Sequence, residues 1–284
     1  MTPGYEYALA AMIFLGLADL VYKRGAAAGI AAHQFLMVQA WCFTPAIVLY
    51  GLATGTLAPE RGTAWGMGAG LFVFVALYHF ARSLKGGSVS IVAPIFRLSF
   101  TVTALLAVLV LGEPLTPYTL AGLALALAAV WLLLGAESGA LPAAGTIRLA
   151  LLQAVIAMAA MGVANFFYKM GALTGGSPAS FIAGQAATFL PLATAFAWRV
   201  DGGLRTTRAA WTHAGTAAAL FLLALVLLFE SLARGKASVL VPISQMGFVV
   251  TAAFGLAFLG EPFTLRKTAG LAFAVAALAC LAYG

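Results

Sequence analysis

Two charged side chains, Asp19 and Arg97, stand inside long apolar segments. An ionisable group is costly in an apolar setting and usually faces a cavity or a partner. The Asp19 carboxylate is suited to bind an ammonium group or a proton, or to form an i,i+4 ion pair with Lys23. Arg97 is suited to hold a carboxylate bidentately, or to pair with Asp19 or Glu230. Asp19 and Arg97 are therefore candidate binding residues.

A second group of polar side chains accompanies them in the apolar segments. Tyr78 and His79 are adjacent, and histidine is the side chain that titrates near neutral pH without perturbation. A packed, hydrogen-bonded histidine is the alternative interpretation of His79. Asn165 is an amide, and Ser244 directly precedes Gln245. We predict that these residues line one cavity together with Asp19 and Arg97.

Two prolines, Pro94 and Pro242, lie within apolar segments that otherwise have helical character. Each proline lacks a backbone N–H and leaves the carbonyl four residues earlier, at Ser90 or Ser238, without its helical partner. The freed carbonyls can serve a substrate ammonium, or they can be satisfied by serine side chains and water. We predict that both prolines mark helix breaks that take part in gating.

Motifs of enzyme chemistry are absent from the sequence. It contains no HExxH, GxSxG or Walker motif and no Cys/His cluster with metal-ligand spacing. Cys42 and Cys280 both lie in apolar runs, which is typical of small buried hydrophobic residues. We therefore predict that the protein is not an enzyme and that it has no catalytic residue, no cofactor and no metal site.

The amino-acid composition indicates whether the protein surface faces water or lipid. Apolar residues make up 63% of the 284 positions, and charged residues make up only 8%. A soluble domain carries about 25% charged residues, because its surface faces water. The net charge of +7 does not indicate nucleic acid, since the basic residues fall at the ends of apolar runs. The sequence predicts an all-α protein embedded in a lipid bilayer.

Ten apolar segments are long enough to cross that bilayer as helices. A spanning helix needs about 20 apolar residues. Short breaks rich in Gly, Pro and Ser separate the segments. The predicted spans cover roughly 5–26, 31–53, 63–84, 88–111, 116–135, 148–171, 178–199, 209–232, 237–259 and 264–283.

An internal repeat relates the two halves of the chain. An offset of 146 residues aligns Tyr22-Lys23 with Tyr168-Lys169, and Gln39 with Gln185. An offset of 148 aligns 111–114, Leu-Gly-Glu-Pro, with the same four residues at 259–262. The predicted domains are therefore 1–136 and 147–284, each with five spans. Because five is odd, the second copy enters the membrane from the opposite face, and inverted copies around a central cavity are typical of transporters.

The distribution of Lys and Arg predicts the orientation. By our assignment of loops, four of these residues lie on the face of the N-terminus and ten on the other face. Because the cytoplasmic face is normally the richer one, we predict that both termini are extracytoplasmic in a multi-pass protein of the inner (plasma) membrane.

The repeated motifs resemble the drug/metabolite transporter superfamily, EamA-type, which includes the YddG-type amino-acid exporters. The resemblance implies ten spans and export of amino acids, metabolites, nucleotide-linked compounds or drugs from a central cavity. It also implies cytoplasmic termini, in conflict with the charge distribution. The residues that carry it are Pro94, 111–113, Gly122, Pro242, 259–261 and Gly270.

These observations predict a secondary transporter that works by alternating access. We expect it to export amino acids, aromatic ones included, or similar small metabolites, as a facilitator or exchanger. The alternatives are a proton-coupled drug/metabolite exporter, a channel or lipid-moving protein, and, more distantly, an intramembrane enzyme. The expected partners are a small-molecule substrate and the lipid bilayer, without nucleic acid, and we expect a monomer.

Overall fold

A computed structural model describes residues 2–86, 89–134, 144–258 and 264–284, and every regular element in these ranges is an α-helix. Each helix begins or ends near the glycines, prolines and polar residues that separate the apolar runs. The helices are α1 (Tyr5–Ala27), α2 (Ala32–Ala53), α3 (Arg61–Gly86), α4 (Val89–Arg97), α5 (Ser99–Leu111), α6 (Pro117–Leu134), α7 (Ala144–Leu173), α8 (Pro178–Asp201), α9 (Arg208–Arg234), α10 (Ala237–Gln245), α11 (Gly247–Phe258) and α12 (Leu265–Ala282).

These helices form ten spans, because α4 continues into α5 and α10 into α11. Nine segments of the described chain meet the length and hydropathy expected of a membrane-crossing helix, and α6 is a shorter apolar helix. The prediction of an all-α membrane protein with ten spans is confirmed.

The interhelical contacts repeat in the two halves. Helix α1 packs on α9 as α3 packs on α7, and α6 packs on its own counterpart, α12. Thr103 donates a hydrogen bond to the carbonyl of Gly162 at 3.0 Å, and Thr251 donates to the carbonyl of Gly16 at 3.0 Å. With five spans in each copy, the copies are inverted relative to each other.

The helix bundle has two membrane faces, which we call side A and side B. Side A is the face at which α1 begins at Tyr5 and α12 ends at Ala282. Side B is the face at which α1 ends at Ala27 and α12 begins at Leu265.

Small residues bring α3 against α8. A Cβ at Gly66 would lie 2.0 Å from the Phe181 carbonyl oxygen, and one at Gly70 would lie 2.4 Å from that of Gln185. Only glycine permits this approach of two backbones, which is the usual role of small residues in membrane helix packing. The contact holds a helix of the first copy against one of the second.

Two of the four described spans with an internal proline kink one turn after it, those with Pro94 and Pro242, whereas α2 and α8 continue unbroken through Pro45 and Pro191. Leu98 N–H donates to the Ile95 carbonyl at 3.0 Å, and Met246 N–H donates to that of Ile243 at 3.1 Å. These i to i−3 bonds tighten the helix locally. Each proline removes one bond of the α-helical ladder on its N-terminal side, and because Pro45 and Pro191 leave their helices unbroken, a proline alone does not account for the kink. The kinks place Arg97 and Gln245 at the ends of α4 and α10.

Candidate functional site

A cavity of about 340 Å³ lies between the two copies at the middle of the spans. This volume falls within the range of small-molecule sites, which is about 300–1,000 Å³. Its polar lining is formed by Asp19, Tyr22, Gln39, Thr44, Arg97, Asn165, Tyr168, Gln185 and Gln245.

The Asp19–Arg97 ion pair forms one polar wall of the cavity. Arg97 Nη2 donates to Asp19 Oδ2 at 2.5 Å, and the two side chains are 22% and 25% exposed. Of the partners considered from the sequence, Asp19 is therefore the one that Arg97 contacts. Glu230 instead forms an i,i+4 pair with Arg234 near side A. The pair leaves this wall polar but electrically neutral.

The Asn165–Gln245 pair forms the opposite polar wall. Gln245 Nε2 donates to Asn165 Oδ1 at 3.5 Å, which is the outer limit of a hydrogen bond. Asn165 is 5% exposed, and its Nδ2 atom has no hydrogen-bond partner in the described chain. Since buried polar groups are nearly always bonded, this donor stands out.

Two tyrosine–glutamine hydrogen bonds complete the polar lining. The Tyr22 hydroxyl donates to Gln39 Oε1, and the Tyr168 hydroxyl donates to Gln185 Oε1. Phe35 and Phe181 contact the two tyrosine rings at centroid distances of 4.4 and 4.5 Å. The tyrosines and glutamines were not predicted as site residues from the sequence, although all of them match at the 146-residue offset.

The other walls of the cavity are apolar and rich in aromatic side chains. They come from helices of both copies and enclose the polar groups on several sides. The apolar lining is Leu15, Ala40, Phe43, Val73, Leu77, Phe80, Ala93, Phe96, Met161, Ala186, Phe189, Phe221, Leu225 and Leu228.

Tyr78 and His79 lie outside this lining, nearer to side B. His79 Nδ1 is hydrogen-bonded to Gln153 Oε1 on α7, and Tyr78 accepts a hydrogen bond from Arg82 at 2.9 Å. Tyr78 also packs edge-on against Phe196 of α8, with ring centroids 5.1 Å apart. Both residues thus join α3 to its neighbours, and their contact with a substrate stays a prediction.

Ser244, Pro94 and Pro242 are buried in the broken spans and are also outside the lining. The Ser244 hydroxyl donates to the Val241 carbonyl at 2.9 Å, within its own helix. Asp19, Arg97, Asn165 and Gln245 are the predicted site residues that the structure brings together at the cavity.

On side A, Glu113 joins the two copies, and Lys169 joins two helices of the second copy. The Glu113 carboxylate accepts from the N–H groups of Ala237 and Ser238, both at 2.9 Å, and from the Ser238 hydroxyl at 2.6 Å. Lys169 is 8% exposed and donates to the carbonyls of Leu232 at 2.9 Å and Gly235 at 2.6 Å. A carboxylate thus caps the start of α10 and an ammonium caps the end of α9, as the helix dipoles favour.

On side B, residues 92–96 of α4 are less buried than their counterparts 240–244 in α10. Residues 240–244 of α10 are all buried, whereas Ala93, Ile95 and Phe96 of α4 are partly exposed, and Ala93 and Phe96 line the cavity. Lys23, which matches Lys169 in the repeat, is exposed. The cavity lining includes Ala93 and Phe96 of α4 but not their counterparts in α10, Val241 and Ser244, so the cavity extends farther toward side B.

Ten spans in two inverted copies around a central cavity form an architecture that is found in many transporters. The sequence model of the EamA-like transporter family matches residues 2–135 and 148–283, and the chain belongs to this family of the drug/metabolite transporter superfamily. It is thus a transporter of that superfamily, embedded in a membrane as a multi-pass protein.

A solved crystal structure of another protein shares the fold. It superposes with a TM-score of 0.81 at 18% sequence identity, and the match covers 98% of this chain and 95% of the other. No curated protein sequence matches the chain.

Proposed function

We propose that the protein is a carrier that works by alternating access, with this structure as the state closed on side A. The observation that carries the proposal is the unequal packing of equivalent elements. Two inverted copies of one motif can exchange their conformations, so the contacts that now seal side A would be replaced by equivalent contacts on side B. A channel has no need of such an asymmetry.

Accessibility of a cavity residue from the two faces tests this proposal. Ala186 lines the cavity and is 3% exposed, so Ala186→Cys is a small change. Cys42 and Cys280 are first replaced by serine. A membrane-impermeant methanethiosulfonate should then modify the new thiol from side B much faster than from side A. Equal and fast modification from both faces would indicate a continuous pore and contradict the proposal.

We propose that the substrate is an amino acid, aromatic ones included, or a similar small metabolite that is exported. Two features of the cavity support this. The Asp19–Arg97 pair is neutral as a whole, which favours a cargo without net charge, such as a zwitterion, because a net charge in a low-dielectric cavity is costly. Phe43, Phe96 and Phe189 offer faces and edges for the packing of an aromatic body.

Uptake by purified protein in liposomes tests the substrate class. The panel should contain neutral amino acids, acidic and basic amino acids, and cationic drugs. We expect saturable transport of neutral amino acids, with aromatic ones among the best substrates. Transport of cationic drugs alone would favour the alternative of a drug/metabolite exporter.

We propose that the carrier is a facilitator or an exchanger rather than a proton-coupled pump. A proton-coupled carrier needs a carboxylate that is alternately protonated at each face. Asp19 and Glu230, the two membrane carboxylates singled out in the sequence, are paired with Arg97 and Arg234. Counterflow of the wild type should therefore respond little to an imposed pH gradient. Strong acceleration by the gradient that Asp19→Asn abolishes would show proton coupling.

We propose from the charge distribution that side B faces the cytoplasm and that both termini are extracytoplasmic. In that orientation the cavity of this structure extends toward the cytoplasm, from which an exported cargo enters. A cysteine at Leu265, which is 89% exposed on side B, should be labelled in inverted vesicles and protected in intact cells. The opposite pattern would agree with the YddG-type exporters that the motifs resemble.

A further inference from the structure

Two equivalent pairs face the cavity but differ in chemistry. Asp19 matches Asn165 at the 146-residue offset, and Arg97 matches Gln245 at the 148-residue offset. The structure joins each residue to the same partner in both copies, so α1 contacts α4 as α7 contacts α10. The first pair is ionic and short, at 2.5 Å, while the second is neutral and long, at 3.5 Å.

The ionic pair is complete without a ligand. Each charge of the Asp19–Arg97 pair has its counter-charge at hydrogen-bonding distance. A cargo carboxylate that approached Arg97 would also approach the Asp19 carboxylate, and like charges disfavour each other. The first pair is therefore a poor recognition element for an anionic group.

The amide pair is incomplete in the same cavity. Asn165 lines the cavity, but its Nδ2 lies beneath the cavity surface as a donor without a partner in the part of the chain that the structure describes, so a cargo oxygen reaches it when the side chain turns toward the cavity. An unsatisfied buried donor destabilises the structure, and a bound acceptor oxygen would remove that cost. Gln185 lies nearby on the cavity wall, and because its Oε1 accepts from Tyr168, its Nε2 is the atom left to donate.

We propose that the Asn165–Gln245 pair is the element that recognises the carboxylate of the cargo, with Asn165 Nδ2 as the main donor. The Asp19–Arg97 pair is its structural counterpart and keeps the cavity neutral. The duplication has thus produced one copy with a self-sufficient ion pair and one with a ligand-dependent amide pair. This inference rests on the proposed function, and it identifies the part of the substrate that the cavity selects.

A pair of probes that differ in one group tests the proposal. Phenylalanine carries a carboxylate, and phenylethylamine has the same ring and amine without it. The readout is the ratio of their saturable counterflow rates, phenylalanine over phenylethylamine, in liposomes. Asn165→Ala should lower this ratio about tenfold, since the loss of one good hydrogen bond corresponds to about 1.4 kcal/mol. Gln245→Ala should lower it less, because its bond to Asn165 is long.

A second substitution and a matched control separate recognition from folding. Asn165→Asp recreates the residue type of the first copy and should reverse the preference in favour of phenylethylamine, because two carboxylates repel. Gln153→Ala removes an amide that bonds His79 outside the cavity lining, and it should keep the wild-type ratio. Each variant is first shown to be monodisperse by size-exclusion chromatography.

The outcomes distinguish this inference from the proposed function. A lower ratio in Asn165→Ala and a reversed one in Asn165→Asp would support it. A wild-type ratio in both folded variants, or a wild type that already prefers phenylethylamine, would overturn the inference alone. A wild type that transports neither phenylalanine nor any other amino acid would overturn the proposed function, and the inference with it.

Discussion

Removal of the Glu113 carboxylate should open the cavity to side A. In Glu113→Ala, the start of α10 loses three hydrogen bonds to a charged acceptor, from Ala237 N–H and from the N–H and hydroxyl of Ser238. Because Lys236, the N-cap residue of α10, makes no side-chain capping bond, no other cap replaces the carboxylate. The loss acts on the closed state, in which these contacts exist.

The size of the effect can be calculated from these contacts. A hydrogen bond to a charged group contributes about 1.5–3 kcal/mol. Since Glu113 is partly exposed, solvent screening reduces the sum of the three to about 2–3 kcal/mol. The population open to side A should therefore rise about 30- to 150-fold. Glu113→Gln keeps one acceptor oxygen and loses the charge, so its shift should be about fivefold, or about 1 kcal/mol.

The assay is the rate at which a membrane-impermeant methanethiosulfonate modifies Ala186→Cys from side A. The matched control is Glu60→Ala, which removes another carboxylate on side A that accepts a backbone hydrogen bond, from Ser177 N–H at 2.9 Å. Glu60 caps the turn before α8 rather than α10, so its loss should leave the rate unchanged. Equal rates of modification from side A in the two alanine variants would show that Glu113 has no specific role in closing this face.

Four further substitutions, in two matched pairs, test the contacts of side A and the packing of α3 on α8. Lys169→Gln should raise the side-A modification rate several-fold, because the variant loses two charge-assisted bonds to the end of α9. Lys23→Gln, at the matching position of the other copy, should lower or preserve the side-A modification rate. An increase equal to that of Lys169→Gln would contradict the specific role of Lys169 in closing side A. Gly66→Ala should lower the melting temperature in detergent by the equivalent of about 1–3 kcal/mol, because its Cβ would meet the Phe181 carbonyl oxygen at 2.0 Å. Gly203→Ala, which meets no atom within 4 Å, should melt like the wild type, and equal melting of both variants would contradict the tight packing of α3 on α8.

Most of the fold was predictable because lipid imposes strong constraints on the sequence. Each span must be long, apolar and helical, so its position is visible in the composition alone. The repeat offsets then imply two copies. The prolines at 94 and 242 precede the two kinks, whereas Pro45 and Pro191 lie in uninterrupted helices, so a proline in a span does not by itself predict a kink. The structure contains both kinks, at Leu98 and Met246.

The site was predictable only in part, because a sequence does not show how each helix is rotated. Asp19 and Arg97 were recognised since a charge in an apolar span needs a partner, and the ion pair supplies it. Tyr78 and His79 also lie within an apolar span. The rotation of α3 places them in hydrogen bonds with Arg82 and Gln153 rather than in the cavity lining. The residue types alone do not show whether a polar side chain lines the cavity or bonds to a neighbouring residue.

The closed side was not predictable from the repeat, because identical motifs adopt different packing in one conformation. The Tyr-Lys segment occurs in both copies, yet Lys169 is buried and Lys23 is exposed. The sequence is compatible with burial of either lysine, and only the three-dimensional structure shows that Lys169 is the buried one. Glu113 was interpreted as part of a family motif, and its role as the cap of α10 became visible in the structure.

Transient counterflow is the measurement that tests the carrier mechanism most directly. Liposomes that contain the purified protein are loaded with a high concentration of unlabelled phenylalanine and diluted into a trace of labelled phenylalanine. A carrier that exposes one site alternately to each face predicts that the label accumulates inside above its external concentration and then declines. Uptake that never exceeds the external concentration, with a rate that rises linearly with phenylalanine, would contradict alternating access and indicate a channel.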